Sequence, residues 1–256
     1  MIDTHSHIYL EQFDADRDET IARARGAGLA KILLPNIDST SVAPMLAAEA
    51  AYPDLCSAMI GLHPGSVKEN YRQELQYIES CLDKRPFIAI GEIGMDLYWD
   101  TTFKKEQEEV LRIQLQWSAE KGLPVVLHTR SAYPEIFRLI DKYYDSRLSG
   151  VFHSFSGSQE DARLIEQMPN FYIGIGGPIS YKNSTLPTIL ASIGYERLML
   201  ETDAPYLPPV PYRGKRNEPA YLVHTRDKLA ALFDVSPGLI TEVTTRNACK
   251  LFKLTQ

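Results

Sequence analysis

The stretch PVVLHT, residues 124–129, decides how the rest of the chain is read. It is a short apolar run closing on a histidine, with no alternation of apolar and polar positions before it. That is the pattern of a parallel strand covered on both faces, with something polar at its carboxyl end. Seven further runs share the form: IDTHSHI at 2–8, KILLPNI at 31–37, LCSAMIGLH at 55–63, FIAIGEI at 87–93, GVFHSF at 150–155, FYIGIGG at 171–177 and LMLETDA at 198–204. Helix signals lie between them. Val110, Ile113 and Trp117 precede Gly122 and Pro124 as a stop, and Ser158 with Asp161 makes a capping pair before Ala162 and Ile165. Leu186, Ile189, Leu190 and Ile193 repeat at helical spacing.

Eight β-then-α units in 256 residues predict one α/β domain spanning 1–256, a (β/α)8 TIM barrel. Two smaller doubly wound domains are the competing parse, but no Pro/Gly/Ser-rich linker divides the middle of the chain. The proline-rich piece PYLPPVPYRGKRNEP at 205–219 reads as a long loop after the eighth strand. Ile240, Val243, Leu251 and Phe252 share one face of an extra C-terminal helix, expected to close the bottom or side of the barrel.

Lys plus Arg number 27 against 33 Asp plus Glu, a net charge of −6 at pH 7. Global attraction to nucleic acid is therefore not expected, and an anionic substrate needs a local basic patch. No basic start leads into an apolar stretch, and no run reaches about 18 apolar residues, so a cytoplasmic location is expected, with no membrane span. Cys56, Cys81 and Cys249 are odd in number and far apart, and read as packed thiols.

The polar residues inside the apolar runs are informative because all fall at carboxyl ends: His5 and His7, His63, Glu92, His128, His153 and Asp203. In a barrel these ends converge on one mouth, where the active sites of this fold are built. Asp3, His5 and His7, two apart, share one face of a strand, so Asp3 is expected to steady one of the imidazoles from behind. Buried as lone charges, Glu92 and Asp203 would cost several kcal/mol each. A cation meets that demand. Four imidazoles and two carboxylates exceed the three protein ligands of a mononuclear catalytic zinc, which points to two ions about 3.5–4 Å apart. His63 stands aside from this set, as a donor behind the ligands, a substrate contact or a packed turn residue before Pro64.

The same residues sit in motifs that resemble the TatD family of metal-dependent hydrolases, within the amidohydrolase-like barrels. The amino-terminal His-x-His, IGLHP at 60–64, IGEIGMDLYWD at 90–100, VVLHTR at 125–130, HSFSGS at 153–158, LETDAPYLPP at 200–209, RGKRNEP at 213–219 and TTRNACKLF at 244–252 match in order over almost the whole chain. The resemblance implies two divalent cations, Zn, Mn or Mg: His5, His7 and Asp203 on one, His128 and His153 on the other, Glu92 bridging. Met95 and Leu97 stand where many relatives have Leu and Tyr, which puts a stacking or hydroxyl contact at 97 in doubt, with Tyr98 and Trp99 as nearby substitutes.

The family's activity implies a metal-dependent nuclease that shortens single-stranded DNA, or RNA in some members, from 3′ ends. Glu92 and Asp203 then carry the catalysis, Asp203 orienting or deprotonating water. For holding substrate, Arg130 returns to the face of His128, a guanidinium suited to a bidentate grip on phosphate. Arg213, Lys215 and Arg216 form one compact basic cluster. Ser154, Ser156 and Gly157 offer hydroxyls and backbone N–H groups at a helix start. Asn217 and Glu218 are expected to fix their loop, while Tyr98, Trp99 and Tyr206 either stack on bases or pack. One rival reading is a bimetal hydrolase of a carbonyl substrate, an amide, lactone or aminoacyl-tRNA ester, since a barrel does not fix its chemistry. Another is a non-catalytic metal-binding or interaction protein, though no partner surface is evident in the sequence.

Overall fold

The computed structural model describes residues 1–143 and 148–254. Strands and helices alternate as β1 (Ile2–Asp3), α1 (Arg17–Gly26), β2 (Lys31–Leu34), α2 (Ser39–Ala51), β3 (Cys56–Ala58), α3 (Tyr71–Lys84), β4 (Ile90–Asp96), α4 (Lys104–Lys121), β5 (Val125–Arg130), α5 (Tyr133–Tyr143), β6 (Gly150–His153), α6 (Gln159–Gln167), β7 (Phe171–Ile175), α7 (Leu186–Ala191), β8 (Leu198–Leu200), α8 (Leu222–Phe233) and α9 (Pro237–Phe252). Every pairing is parallel, with β1 to β3 in one ladder and β4 to β8 in another. The ladders meet at both edges. Ile60 N–H donates to Ala89 and Gly91 N–H to Ile60 between β3 and β4, while Thr4 N–H donates to Leu200 and Asp203 N–H to His5 between β1 and β8. The result is a (β/α)8 barrel in which these two seams rest on isolated bridges.

The alternation of side chains explains what each strand contributes. Val125 and Leu127 pack outward under the helices, whereas Val126 joins an interior layer with Ile2, Leu33, Met59, Ala89, Val151, Tyr172 and Met199, one from or beside each strand. Period two then turns His128 inward above Val126, and His153 above Val151. The floor of the barrel is α9, whose Ala248, Leu251 and Phe252 pack on that layer. Its Asn247 amide donates to the carbonyls of Glu196 (2.9 Å) and Leu198 (2.8 Å), pinning α9 to the amino end of β8. The expected C-terminal helix thus closes the bottom.

Local signals operate as expected at several termini. Ser158 and Asp161 cap α6 reciprocally, and Gly122, at φ 64°, ends α4 in the left-handed conformation that suits glycine. The strands are shorter than the apolar runs. β1 leaves its ladder after Asp3, β3 after Ala58 and β8 after Leu200, so His5, His7, His63 and Asp203 lie on the irregular segments beyond. The picture of Asp3, His5 and His7 along one strand face is corrected accordingly. Asp3 is fully buried and accepts from Thr202 N–H (2.9 Å), Thr202 Oγ1 (2.5 Å) and the His5 backbone N–H (3.3 Å), so it ties the end of β8 to the His5 backbone and touches no imidazole. Cys56 is buried and Cys81 and Cys249 half-buried, all as free thiols. Among the described residues no helix is long and apolar enough to cross a membrane.

Candidate metal centre

Seven side chains from six places in the chain meet at the carboxyl mouth. Backbone bonds from Ser6 to Leu33 (3.0 Å) and from His7 to Ala204 (2.7 Å) hold the segment after β1 between β2 and β8. Asp203 adopts φ 57°, a left-handed conformation that Asp tolerates better than most residues, and lies opposite both histidines. Its Oδ1 is 3.8 Å from His5 Nε2 and 3.5 Å from His7 Nε2. Glu92, inside β4, reaches both halves of the cluster. Oε2 lies 3.1 Å from His5 Nε2 and 3.7 Å from His7 Nε2, whereas Oε1 lies 2.9 Å from His128 Nδ1 and 3.8 Å from His153 Nε2.

Hydrogen bonds on the far side of the rings fix which nitrogen faces inward. Tyr9 donates its hydroxyl proton to the Pro35 carbonyl (2.7 Å), so at 2.9 Å it accepts from His7 Nδ1–H, leaving the Nε2 lone pair toward Glu92 and Asp203. His63 is the opposite case. Gly65 N–H donates to its Nδ1 (3.0 Å), so a neutral ring carries its proton on Nε2, 3.5 Å from Glu92 Oε1 and 3.3 Å from His128 Nδ1. That makes His63 a donor into the cluster.

The electrostatics follow from the packing. Burial pushes the Glu92 carboxyl up, but the imidazoles of His5, His63 and His153 outweigh it and hold it well below the usual range. Asp203 is likewise driven down, against burial, by His7, His153 and His5. Burial lowers His5, with His153 adding to the effect. His128 is raised to about 9: burial opposes its charge, and the Asp96 and Glu92 carboxylates overcome that cost. His153 is raised to about 10 in the same way, by Glu201 and Glu92.

The donor set suits divalent cations. His5 Nε2 and His7 Nε2 stand 3.2 Å apart, the rings of His5 and His153 stack with centroids at 3.4 Å, and His5 Nδ1 is buried without a partner. Nitrogen lone pairs and carboxylates crowded in this way repel or compete for protons unless a shared cation lies among them. Three overlapping groups have ligand atoms within 4.8 Å of one another: His5, His7 and Asp203; His5, Glu92 and His153; His63, Glu92 and His128.

A cleft of about 700 Å³ opens over this cluster and exposes His7, His63, Glu92, His128, His153 and Asp203 to it. Arg130 lines its wall, with Tyr98 4.3 Å and Trp99 5.1 Å from ring centroid to guanidinium carbon, and makes no ion pair among the described residues. Trp99 is 75% and Tyr98 58% exposed, whereas Leu97 packs against the core. Ser154 and Ser156 line the same cleft, but Ser154 N–H is bound to Glu201 and Ser156 N–H to Tyr133, so these backbone groups are not available to an anion as expected, and the hydroxyls are what the two serines offer it.

The basic cluster divides. Arg213 lies over Tyr181, a residue of the cleft wall, at 4.1 Å, and does not itself line the cleft. Arg216 does not reach the cleft: it grips Asp16 with both terminal nitrogens (2.6 and 2.7 Å) and bonds the Gln12 carbonyl, locking the 205–219 loop onto the start of α1. Asn217 and Glu218 fix the loop as expected, Asn217 through the Thr202 and Tyr206 carbonyls and Glu218 through Arg23. Two acids escaped the sequence reading. Asp96 Oδ2 meets His128 Nε2 at 3.0 Å, and Glu201 Oε1 lies 3.0 Å from His153 Nδ1. The spacing offered only half a signal: Asp96 follows Glu92 by four, an even step along β4, but Glu201 and Asp203 lie beyond the end of β8, where strand alternation does not apply.

Comparison with known proteins agrees with this geometry. The model of the TatD related DNase family matches residues 2–253. The chain is 34% identical to the metal-dependent hydrolase YabD of Bacillus subtilis, over 99% of both chains. It is 34% identical to the 3′-5′ ssDNA/RNA exonuclease TatD of Edwardsiella piscicida, over 99% of this chain and 100% of that one. The crystal structure of YjjV, a TatD homologue from Escherichia coli, superposes with a TM-score of 0.93 at 31% identity, covering 100% and 98% of the two chains. A lactonase from Listeria monocytogenes shares only the fold, at 13% identity and a TM-score of 0.67. With its motifs in order, its donor cluster at the barrel mouth and this agreement along its length, the chain belongs to the TatD family of metal-dependent hydrolases.

Proposed function

We propose that the protein hydrolyses phosphodiester bonds of single-stranded nucleic acid, DNA foremost, from the 3′ end, using two divalent cations. The observation that carries this reading is Glu92, whose two oxygens face two separate donor groups, with an unpaired guanidinium on the same cleft wall. His5, His7 and Asp203 would hold one cation, His128 and His153 the other, and Glu92 both. Such cations supply Lewis acidity: they acidify water and offset charge gathering on phosphoryl oxygens.

The chain's own groups do the rest. Asp203, ionised and facing the cluster, orients water and accepts its proton. Arg130 binds a non-bridging phosphate oxygen pair and sets the phosphorus over the cluster. Nε2–H of His63 donates to a phosphate oxygen or to Glu92, a contact that a metal ligand could not make. Tyr98 and Trp99 offer ring faces to unpaired bases, which favours a single strand over a duplex. The Ser156 hydroxyl extends the same wall, Arg213 stands behind Tyr181 of that wall, and Arg216 serves the loop.

Single-stranded oligonucleotides labelled at either end test the proposal, with protein stripped of metal and reloaded with Mg, Mn or Zn. A metal-dependent ladder shortening from the 3′ end, lost in Asp203→Asn and Glu92→Gln, is expected. No cleavage with any of the three ions, while the protein still binds them, would overturn it and redirect the search to aminoacyl esters and other carbonyl substrates.

A further inference from the structure

Glu201 is 1% exposed, does not line the cleft, and among the described residues has no Lys or Arg partner, only the imidazole of His153. Its Oε1 accepts from Ser154 N–H (2.5 Å) and sits 3.0 Å from His153 Nδ1, close enough to pair although off the line of a good hydrogen bond. Its Oε2 is buried without a partner against Gly174. A Cβ there would stand 2.3 Å from Oε2, so a larger residue would displace the Glu201 carboxylate. On the other side of the cluster Asp96, held by the Tyr98 N–H (3.0 Å), pairs at 3.0 Å with His128 Nε2.

The remaining two imidazoles are backed differently. His7 Nδ1 meets the uncharged hydroxyl of Tyr9, and His5 Nδ1 meets nothing. Among the described residues a carboxylate thus stands behind His128 and His153, which with His63 face Glu92 Oε1, and not behind His5 or His7. A carboxylate behind an imidazole fixes its tautomer and orientation and raises its basicity as a ligand.

We propose that Glu201 and Asp96 are positioning residues for one cation only, the one held by His128, His153 and Glu92, and that Gly174 is the socket that lets Glu201 serve it. The inference rests on the two-cation reading above but not on the identity of the substrate. The two cation positions are therefore built to be separable, one stiffened by buried charge and the other by neutral contacts.

Equilibrium binding of Mn to the metal-free protein, followed by calorimetry and by counting bound ions after desalting, tests this without substrate. Unmodified protein should take up two ions per chain. Glu201→Gln and Asp96→Asn should each weaken one of the two by roughly 10- to 100-fold and leave the other within about twofold. Gly174→Ala, which keeps every charge but displaces the Glu201 carboxylate, should weaken the same ion, and circular dichroism at the assay temperature confirms that each variant is folded. Unchanged uptake in folded Glu201→Gln and Asp96→Asn, or equal loss of both ions, would overturn the proposal, as would a single ion on the unmodified protein. A failure of nuclease activity alone would leave it standing, because no step of the measurement uses nucleic acid.

Discussion

Arg130 is the residue on which the choice of substrate turns. A guanidinium at a barrel mouth, flanked by Tyr98 and Trp99 and without an ion pair among the described residues, has a use if the substrate is anionic and little if it is a neutral amide or lactone. Arg130→Met should raise KM for an oligonucleotide by roughly 10- to 100-fold, the equivalent of a charge-assisted hydrogen bond, with metal uptake unchanged. Steady-state kinetics on labelled single strands would measure it, and an unaltered KM would favour a carbonyl substrate. At this scale the sequence was most legible where a polar residue interrupts an apolar run, as His128 does at the end of β5. It was least legible where the interruption sits among other polar residues. Glu201 in LETDA and Asp96 in GMDLYWD were hidden by neighbours, and Arg216 looked like a phosphate ligand because Asp16, its partner, lies 200 positions away.

Among the elements, α9 and the 205–219 loop carry the largest structural consequences. Leu251 is a buried floor residue against the interior layer, so Leu251→Ala should cost about 2–5 kcal/mol in urea unfolding while leaving cation uptake of the folded protein intact. The loop is held by charge instead. Arg216 and Arg23 depress the Asp16 carboxyl below its ordinary 3.8, so the folded protein binds that proton less readily than the unfolded chain. The stabilisation is present above about pH 4 and lost as pH falls below it. Both partners are about one-third exposed, so the effect is modest: Arg216→Met should lower Tm by roughly 1–4 °C at pH 7, with the difference from wild type shrinking progressively as pH falls below about 4. A difference that did not shrink at all as the pH was lowered through the acid range would mean that Arg216 acts through its stacking on Phe13 rather than its charge. Strand existence and order were readable from apolar runs, because covered parallel strands lack polar interruptions. Strand ends were not, since β1, β3 and β8 leave their ladders early to place His5, His7, His63 and Asp203, and nothing in an apolar run marks that departure.

For the whole molecule, a chain of net charge −6 gathers Glu92, Asp96, Glu201 and Asp203 beneath one mouth, among imidazoles that pair with them, a donor set to which divalent cations can bind only in the folded state. Cations that bind the folded chain alone stabilise it by about 2.7 kcal/mol at a concentration 100 times their Kd. Loading with Mn or Zn should therefore raise Tm by roughly 5–10 °C, reversibly with chelator, and the gain should shrink in Glu92→Gln. Differential scanning fluorimetry reads this directly, and a Tm indifferent to metal would contradict it. Barrel architecture was legible because eight similar units repeat in order; the closure of its two seams by isolated bridges was not, because those contacts depend on loop geometry beyond the strands.

The central claim is that Glu92 stands between two cations. Anomalous diffraction from crystals equilibrated with Mn, collected at a wavelength where that ion scatters strongly, tests it most directly. Two peaks about 3.5–4 Å apart are expected, one among His5, His7 and Asp203 and one beside His128 and His153, with a Glu92 oxygen toward each. One peak, or two that leave Glu92 out of contact, would contradict the account.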